Sequence, residues 1–336
     1  MTYKRRSAQQ LRGPFGHWNY EHLLPGRISR SKKRQTCWLE VYSVFLFLLL
    51  FSLLSFPLAA QEIGTLTLVE GSLQVIRGTA VLRGAEGMRV RQGDILQSSN
   101  PAFVQIEFRG GTITALGASS RLFLYGNART RRSELILLSG WLKGQTGPGT
   151  VTYHYASPLL AATTRDGTVV LHARAEAAEV FVETGSAGIS RVSLDGNLEH
   201  PGSAKAGQFF TRRLSKKLVV QSRPDSTFLE SMPLPFRDTF PSRLPRFAGR
   251  PPTPKRDHEV TYSEIEPWLN SRPNWRKGFV RRFEPRLEDA AFRSAVEAHL
   301  EDHPEWDPSL HPEDYEPKTP ASQHSGNNSQ HEGDAK

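Results

Sequence analysis

Between about Gly64 and Arg213 the chain is built from short apolar or alternating runs set between glycine-containing turns. The runs are Thr65–Val69, Ser72–Ile76, Phe103–Phe108, Thr112–Leu116, Arg121–Tyr125, Glu134–Leu138, Thr168–Leu171 and Glu179–Val182. Val104, Ile106 and Phe108 alternate with Gln105, Glu107 and Arg109, a period of two that puts one strand face in a core and the other in water. Arg109-Gly110-Gly111 and Arg165-Asp166-Gly167 separate neighbouring runs by a few residues, as hairpins and tight corners do. No helical period crosses this span. The pattern predicts an all-β domain of short strands.

A loose repeat runs through it. Leu68-Val69-Glu70-Gly71-Ser72-Leu73, Leu137-Leu138-Ser139-Gly140-Trp141-Leu142 and Phe181-Val182-Glu183-Thr184-Gly185-Ser186 each join a strand, a polar residue, a glycine turn and a new strand. The spacing is uneven, so no strict solenoid period exists. A β-sandwich gives the same signal. Stacked coils that need glycine at every corner favour a β-roll or solenoid-like stack, and the sandwich stays open.

The pattern changes after residue 222. Residues 223–260 are crowded with proline and read as an extended linker or strap. Phe236, Phe240, Leu244 and Phe247 sit there at helical spacing, yet Pro241 and Pro245 fall among them, so only single turns can form. Two fates fit: a strap laying its aromatics on the β core, or an exposed docking segment that includes Arg243. Residues 261–316 predict a small α-helical tail. Thr261 with Glu264 forms a capping-box pattern, and Leu287–Asp302 is the best helix, with Phe292, Val296, His299 and Leu300 on one side. Residues 317–336 are polar and helix-breaking, a composition expected to be disordered.

Residues 41–58 are the one long apolar run. They follow a basic stretch and end at Pro57-Leu58-Ala59-Ala60, which reads as a signal peptide cleaved after Ala60. The basic region is about 40 residues, longer than a signal peptide usually carries. An upstream start codon or an uncleaved signal anchor would account for that, and residues 41–58 would then be the sole membrane contact. Both versions place residues 61–336 outside the cytoplasm, periplasmic or otherwise exported. This division changes the charge picture. The chain has 43 Lys+Arg against 34 Asp+Glu, but residues 1–60 hold nine of the former and two of the latter, leaving 34 against 32. A net of +2 gives no basic footprint for nucleic acid. The single cysteine, Cys37, precedes the apolar run; the exported part has no thiol for disulfides, thiolate catalysis or metal binding.

Candidate chemistry is sparse. His299 and His303 lie at i and i+4, but the glutamate spacing of a zinc helix is missing and Pro304 follows. Gly185-Ser186-Ala187-Gly188 lacks nucleophile-elbow spacing, and Gly144–Gly149 lacks the Lys-Ser/Thr of a phosphate loop. Asp94 and Glu183 sit beside turn glycines, where acidic side chains serve local hydrogen bonding. The expectation is a non-enzymatic protein with no cofactor and no metal. The residues best suited to grip a partner are Phe236, Phe240, Arg243, Trp268, Trp275 and Trp306, through stacking and cation–π contact; the three tryptophans equally suit the small core of a tail. The run Arg212, Arg213, Lys216, Lys217 reads as a wet strand edge.

The ordered motifs resemble the FecR domain over residues 64–210. They are Glu70-Gly71-Ser72-Leu73-Gln74-Val75, Gln92-Gly93-Asp94-Ile95-Leu96-Gln97-Ser98, Ala102–Phe108 with Gly110-Gly111, Gly117-Ala118-Ser119-Ser120-Arg121-Leu122 and Leu138-Ser139-Gly140-Trp141-Leu142. Ala156-Ser157-Pro158, Arg165-Asp166-Gly167-Thr168, Val182-Glu183-Thr184-Gly185 and Ala206-Gly207-Gln208 complete the set. Gly110 stands where the family usually has aspartate. Tyr262…Pro267-Trp268-Leu269, Gly278-Phe279-Val280-Arg281-Arg282-Phe283 and His303-Pro304-Glu305-Trp306-Asp307 resemble a tail on some proteobacterial FecR-domain proteins. The resemblance implies an exported, non-catalytic β module, solenoid-like in part, that binds or scaffolds a protein or polymer of the bacterial envelope. The alternative is a membrane-anchored signal relay of the sigma-factor-regulator type. That role needs a cytoplasmic helical domain, and the 40 residues before the apolar run are interrupted by Pro14, Gly16 and Pro25.

Overall fold

A computed structural model describes residues 61–127, 132–147 and 151–315. They are mainly β: fifteen strands in one hydrogen-bonded sheet, then a small set of short helices. Four strands are long, β1 (Glu62–Arg77), β4 (Ile95–Phe108), β7 (Arg132–Thr146) and β11 (Ala177–Val192). Between them run β2 (Ala80–Arg83), β3 (Arg89–Arg91), β5 (Ile113–Leu116), β6 (Arg121–Asn127), β8 (Tyr153–Ala156), β9 (Leu160–Thr164) and β10 (Gly167–Arg174). β12 (Leu198–Lys205), β13 (Phe209–Arg213), β14 (Val219–Gln221) and β15 (Lys255–Glu259) complete the set. The expected short strands are therefore in part halves of long ones: residues 65–69 and 72–76 both belong to β1.

Each long strand changes at least one neighbour between its two halves; β1 keeps β4 throughout but takes β3 along its first half and β2 along its second. Gly64–Gly71 of β1 pair with Ala102–Phe108 of β4, and Leu73–Ile76 pair with Ile95–Ser98. β7 takes β6 and β8 along its first half and β5 and β10 along its second. β11 takes β10 and β13 first, then β9 and β12. The sheet is thus folded over into two facing layers that share their long strands. β10 bridges β7 and β11 on one side while β8 and β9 connect them on the other, which gives a closed, barrel-like circuit.

The three glycines of the sequence repeat are the corners of this fold. Gly71, Gly140 and Gly185 have φ of 80°, 91° and 68°, left-handed values that L side chains avoid. A Cβ on Gly71 would lie 2.3 Å from the Pro101 carbonyl oxygen, one on Gly140 2.6 Å from the Ser120 Cα, and one on Gly185 2.3 Å from the Asp166 carbonyl oxygen. Each bend brings the opposing chain too close for any side chain.

Three apolar surfaces result. Between the layers lie Leu66, Val75, Leu96, Leu122, Leu137, Leu171 and their neighbours. Because side chains alternate along a strand, the next residues, Ile76, Ile95, Phe123 and Ile136, form the outer face of one layer. Ile113, Ala115, Trp141, Val170 and Phe209 form the outer face of the other. The tail covers the first outer face and the proline-rich segment covers the second. That segment is a strap and no free linker; its end forms β15, which pairs with β2.

Gly140→Ala should lower unfolding free energy by about 1–3 kcal/mol, the scale of a residue forced into left-handed backbone. Gly78→Asn should change it little, since φ is 60° there and a Cβ meets nothing within 4 Å. Urea denaturation of the two variants checks the contrast.

Candidate functional site

The strap begins with helix α1 (Ser226–Ser231), capped by Asp225, whose Oδ1 accepts the Phe228 N–H at 2.8 Å. Two 3₁₀ turns follow, Leu234–Arg237 and Leu244–Phe247, each with proline in its first positions. Single turns are all that the prolines permit. Phe236 and Phe240 are buried, 0% and 6% exposed, and pack on one another and on Phe103. These two candidate partner residues therefore lie in the core, and the strap reading, not the exposed docking segment, describes their place.

Beneath the strap runs a row of buried polar side chains. Lys143 Nζ, on β7, donates to the carbonyls of Phe236 (2.7 Å) and Asp238 (3.0 Å) and lies 5.2 Å from the Phe240 ring centre. Glu183 Oε2 is 2.7 Å from the same Nζ. It is an ion contact beside those two hydrogen bonds. Gln145 exchanges two hydrogen bonds with the Phe240 backbone, and Gln105 donates to the Pro241 carbonyl. Glu107, 4% exposed, accepts from Ser242 Oγ and from the Arg243 N–H, both at 2.6 Å. Except for Ser242, every strap atom bound here is backbone. The half-buried Arg243 thus enters through its main chain.

The strap leaves an open cleft of about 700 Å³ at its far end, lined by Thr65, Arg89, Glu107, Arg109, Leu244 and Phe247, among others. Arg89 is held there by Thr65 Oγ1 and the Phe247 carbonyl, while the Arg109 side chain is exposed.

The tail comprises α2 (Tyr262–Leu269), α3 (Pro273–Arg276), α4 (Phe279–Phe283), α5 (Ala290–Ala298), α6 (Asp307–Leu310) and α7 (Pro312–Tyr315), with 3₁₀ turns between. The predicted capping box is present: Thr261 and Glu264 bracket the start of α2. Trp268, Trp275 and Trp306 are 0%, 4% and 0% exposed, so the tail's tryptophans form its core and offer a partner no surface. A residue that sequence reasoning passed over fastens the tail. Arg282 donates to the carbonyls of Ile76 (2.9 Å), Gly78 (3.0 Å) and Gly93 (2.8 Å), and burial pulls its guanidinium down to about 10.

The expected Leu287–Asp302 helix is shorter, because Asp289 caps α5 and it ends at Ala298. His299 and His303 are therefore separately engaged. His299 Nδ1 faces the Ala295 carbonyl at 2.8 Å, and the buried His303 accepts at Nδ1 from Arg276 Nη1 at 3.0 Å. Among the described residues no cluster of metal-ligating side chains occurs. Asp94 is committed to a two-pronged pair with Arg77 (2.7 and 2.9 Å) and Glu183 to Lys143. Of the predicted wet basic edge, Arg212 departs: its Nη1 donates inward to the Leu159 and Val192 carbonyls. The apolar run 41–58 and the polar end 317–336 lie outside the described residues. Among those described, no helix is long and apolar enough to cross a membrane.

No family model matches the chain, and no curated protein does. Two crystal structures of a "putative anti-sigma factor" from Parabacteroides distasonis, at 1.65 and 2.50 Å resolution, are similar to parts of it. Identities are 9% and 10%, TM-scores 0.34 and 0.33, and coverage 40% and 41% of this chain. The chain spans 62% and 64% of those proteins, under two thirds of their length. Scores of this size assign neither a shared fold nor an activity.

Lys143→Met should destabilise the protein by about 3–4 kcal/mol. That is the lower part of the range for breaking a buried pair, because Glu183 keeps some solvent. Urea unfolding measures the loss, and limited proteolysis should cut first in the loosened strap. His303 titrates below its ordinary range, chiefly through burial and then the Arg276 charge. Its contribution to stability is therefore whole above about pH 6.5 and declines as pH falls through that value. His258, raised by Glu264, works in the opposite direction. Thermal melts from pH 8 to 5 should lose less stability in His303→Gln than in the unmodified protein.

Proposed function

We propose that this chain is an exported, non-enzymatic FecR-type module of the bacterial envelope that binds or scaffolds a protein or envelope polymer. One observation carries the binding reading: the outer face under the strap is a peptide-backbone receptor. Lys143 and Gln145 on β7 and Gln105 and Glu107 on β4, two long strands flanking β5, hold main-chain atoms of residues 236–243. Side chains committed to an extended segment in this way suit a scaffold that organises chains, and leave few groups for chemistry. The FecR-type reading is supported by the place of its motifs, since Gly71, Gly140 and Gly185 are corner residues and the family pattern coincides with what the fold requires. The exported reading rests on the apolar run 41–58 and on a body without thiols. Partner contact is best supported at the open cleft by Arg89 and Arg109, where the strap no longer covers the layer.

Cell fractionation with N-terminal sequencing tests the placement. The expected mature chain begins at Gln61 and is recovered with the envelope; an intact chain from Met1 in the cytosol overturns it, and an anchored chain with residues 1–40 inside supports the signal relay instead. A photo-crosslinking residue at Arg109 should capture an envelope component in intact cells, and one on the tail's exposed Glu297 should not.

A further inference from the structure

A second cleft, of about 410 Å³, opens where loops at one end of the folded sheet meet the start of the helical tail. Its chemistry differs from the first. Leu138, Pro158, Leu194 and Leu214 line it together with Arg121 and Arg272, and no acidic residue does. Leu194 and Leu214 are 70% and 43% exposed, leaving aliphatic surface bare on either side of the opening.

The arginines are held by carbonyl and hydroxyl oxygens, not by carboxylates. Arg272 donates through Nε and Nη2 to the Pro158 carbonyl at 3.1 and 2.9 Å, which leaves Nη1 without a partner. Arg121 donates through Nη1 to Ser139 Oγ at 3.3 Å, which leaves Nε and Nη2. Behind them Arg212 is fixed to the adjacent Leu159 carbonyl. Burial and then the Arg212 charge hold Arg272 below its ordinary value; the acidic neighbour acting on this group, Glu199, acts on Arg212. Arg121 and Arg272 thus face the cleft with no carboxylate bound to either, and Arg212, partly offset by Glu199, stands behind them. A positive site with aliphatic walls selects an anion that carries an apolar body, since charge-assisted bonds to a carboxylate are strong and planar arginine suits them. A sugar would need a ring to stack on, and no aromatic residue lines the cleft.

We propose that this cleft binds an apolar chain ending in a carboxylate. The volume falls within the usual span for small-ligand sites and suits a short acyl chain or the last two or three residues of a polypeptide. Both sources present the same chemistry: a carboxylate between Arg121 and Arg272, with the aliphatic part against Leu138, Leu194 and Leu214. The proposal does not depend on the compartment or on the covered strap face, so its failure would leave the function proposed above standing.

Titration calorimetry on the full chain tests it with two matched pairs, decanoate against decanol and acetyl-Ala-Leu-Leu acid against its amide. At least one acid should bind about tenfold or more tightly than its neutral counterpart, as loss of a charged hydrogen bond implies. Binding by decanoate alone points to a free amphiphile, and by the peptide acid alone to a polypeptide end. Arg121→Gln should weaken the acid about tenfold. Leu214→Asp, at a position exposed enough to leave folding intact, should do the same by setting a like charge beside the ligand. No binding by either acid, equal binding of acids and neutral forms, or binding unchanged in both variants with unaltered melting would overturn the proposal.

Discussion

A folded sheet that carries large apolar side chains on both outer faces as well as inside must have both of those faces covered, and the rest of this structure answers that constraint. The two outer clusters contain Ile76, Ile95, Phe123 and Ile136 on one side and Ile113, Ala115, Trp141 and Val170 on the other. Faces with several fully buried large side chains would drive association if left bare. The tail and the strap are thus parts of one hydrophobic structure, and each is too short or too proline-rich to fold alone. Their own rings complete what the sheet begins: Phe123 meets Trp268 and Phe279 at 5.9 and 5.4 Å, and Phe228 meets Phe209 at 4.8 Å.

Apolar burial has no direction, so polar contacts must set where each cover sits. Arg282 does this for the tail by reaching three carbonyls at the β1–β2 hairpin and the turn before β4. Lys143 and Glu107 do it for the strap, at positions on β7 and β4 that face outward in the alternation. A buried charge left unpaired is expensive, which makes the correct register of each cover much more favourable than a slipped one. The same contacts explain why the strap is held by its backbone: prolines remove donors and fix φ, and the remaining carbonyls and N–H groups need partners that the sheet supplies.

The β class, the turns, the capping box at Thr261 and the single-turn character of the strap were legible from the chain, because each depends on local chemistry. The repeat around Gly71, Gly140 and Gly185 was visible too, although its meaning was not. A glycine after a polar residue reads as the end of one short strand and the start of another, whereas here the strand runs on and its pairing with β4 resumes beyond the bend after a register shift. Pairing on both sides of a corner is a long-range property that no local pattern carries. The same limit applies to the aromatics. Phe236, Phe240, Trp268, Trp275 and Trp306 have the composition of a binding surface and of a core alike. Only knowledge that the sheet's outer faces were apolar would have decided between them. One signal was available: Trp141 and Phe123 sit out of phase with the interior residues Leu142 and Leu122, so each strand is apolar on both sides, the pattern of doubly buried strands.

What a protein of this design leaves open is decided by where its covers end. The strap stays bound to the sheet from Phe228 to Arg243 and then departs in the Leu244–Phe247 turn, which leaves the cleft between Arg89, Arg109 and Phe247. The tail meets the loops at the other cleft through Arg272 and Asn274, which bond the Pro158 carbonyl and the side chain of Asn197. Each cover is shaped to one face of the folded sheet, so a seam opens where each ends against the sheet, the strap bordering one cleft and the tail the other. The seams expose backbone turns and the ends of long cationic side chains, whose stems pack while their heads reach water. Open clefts therefore arise as a by-product of closing the core. The glycine corners that determine the fold, Gly71, Gly140 and Gly185, line neither cleft, whereas Glu107 and Arg272 line a cleft and also anchor a cover.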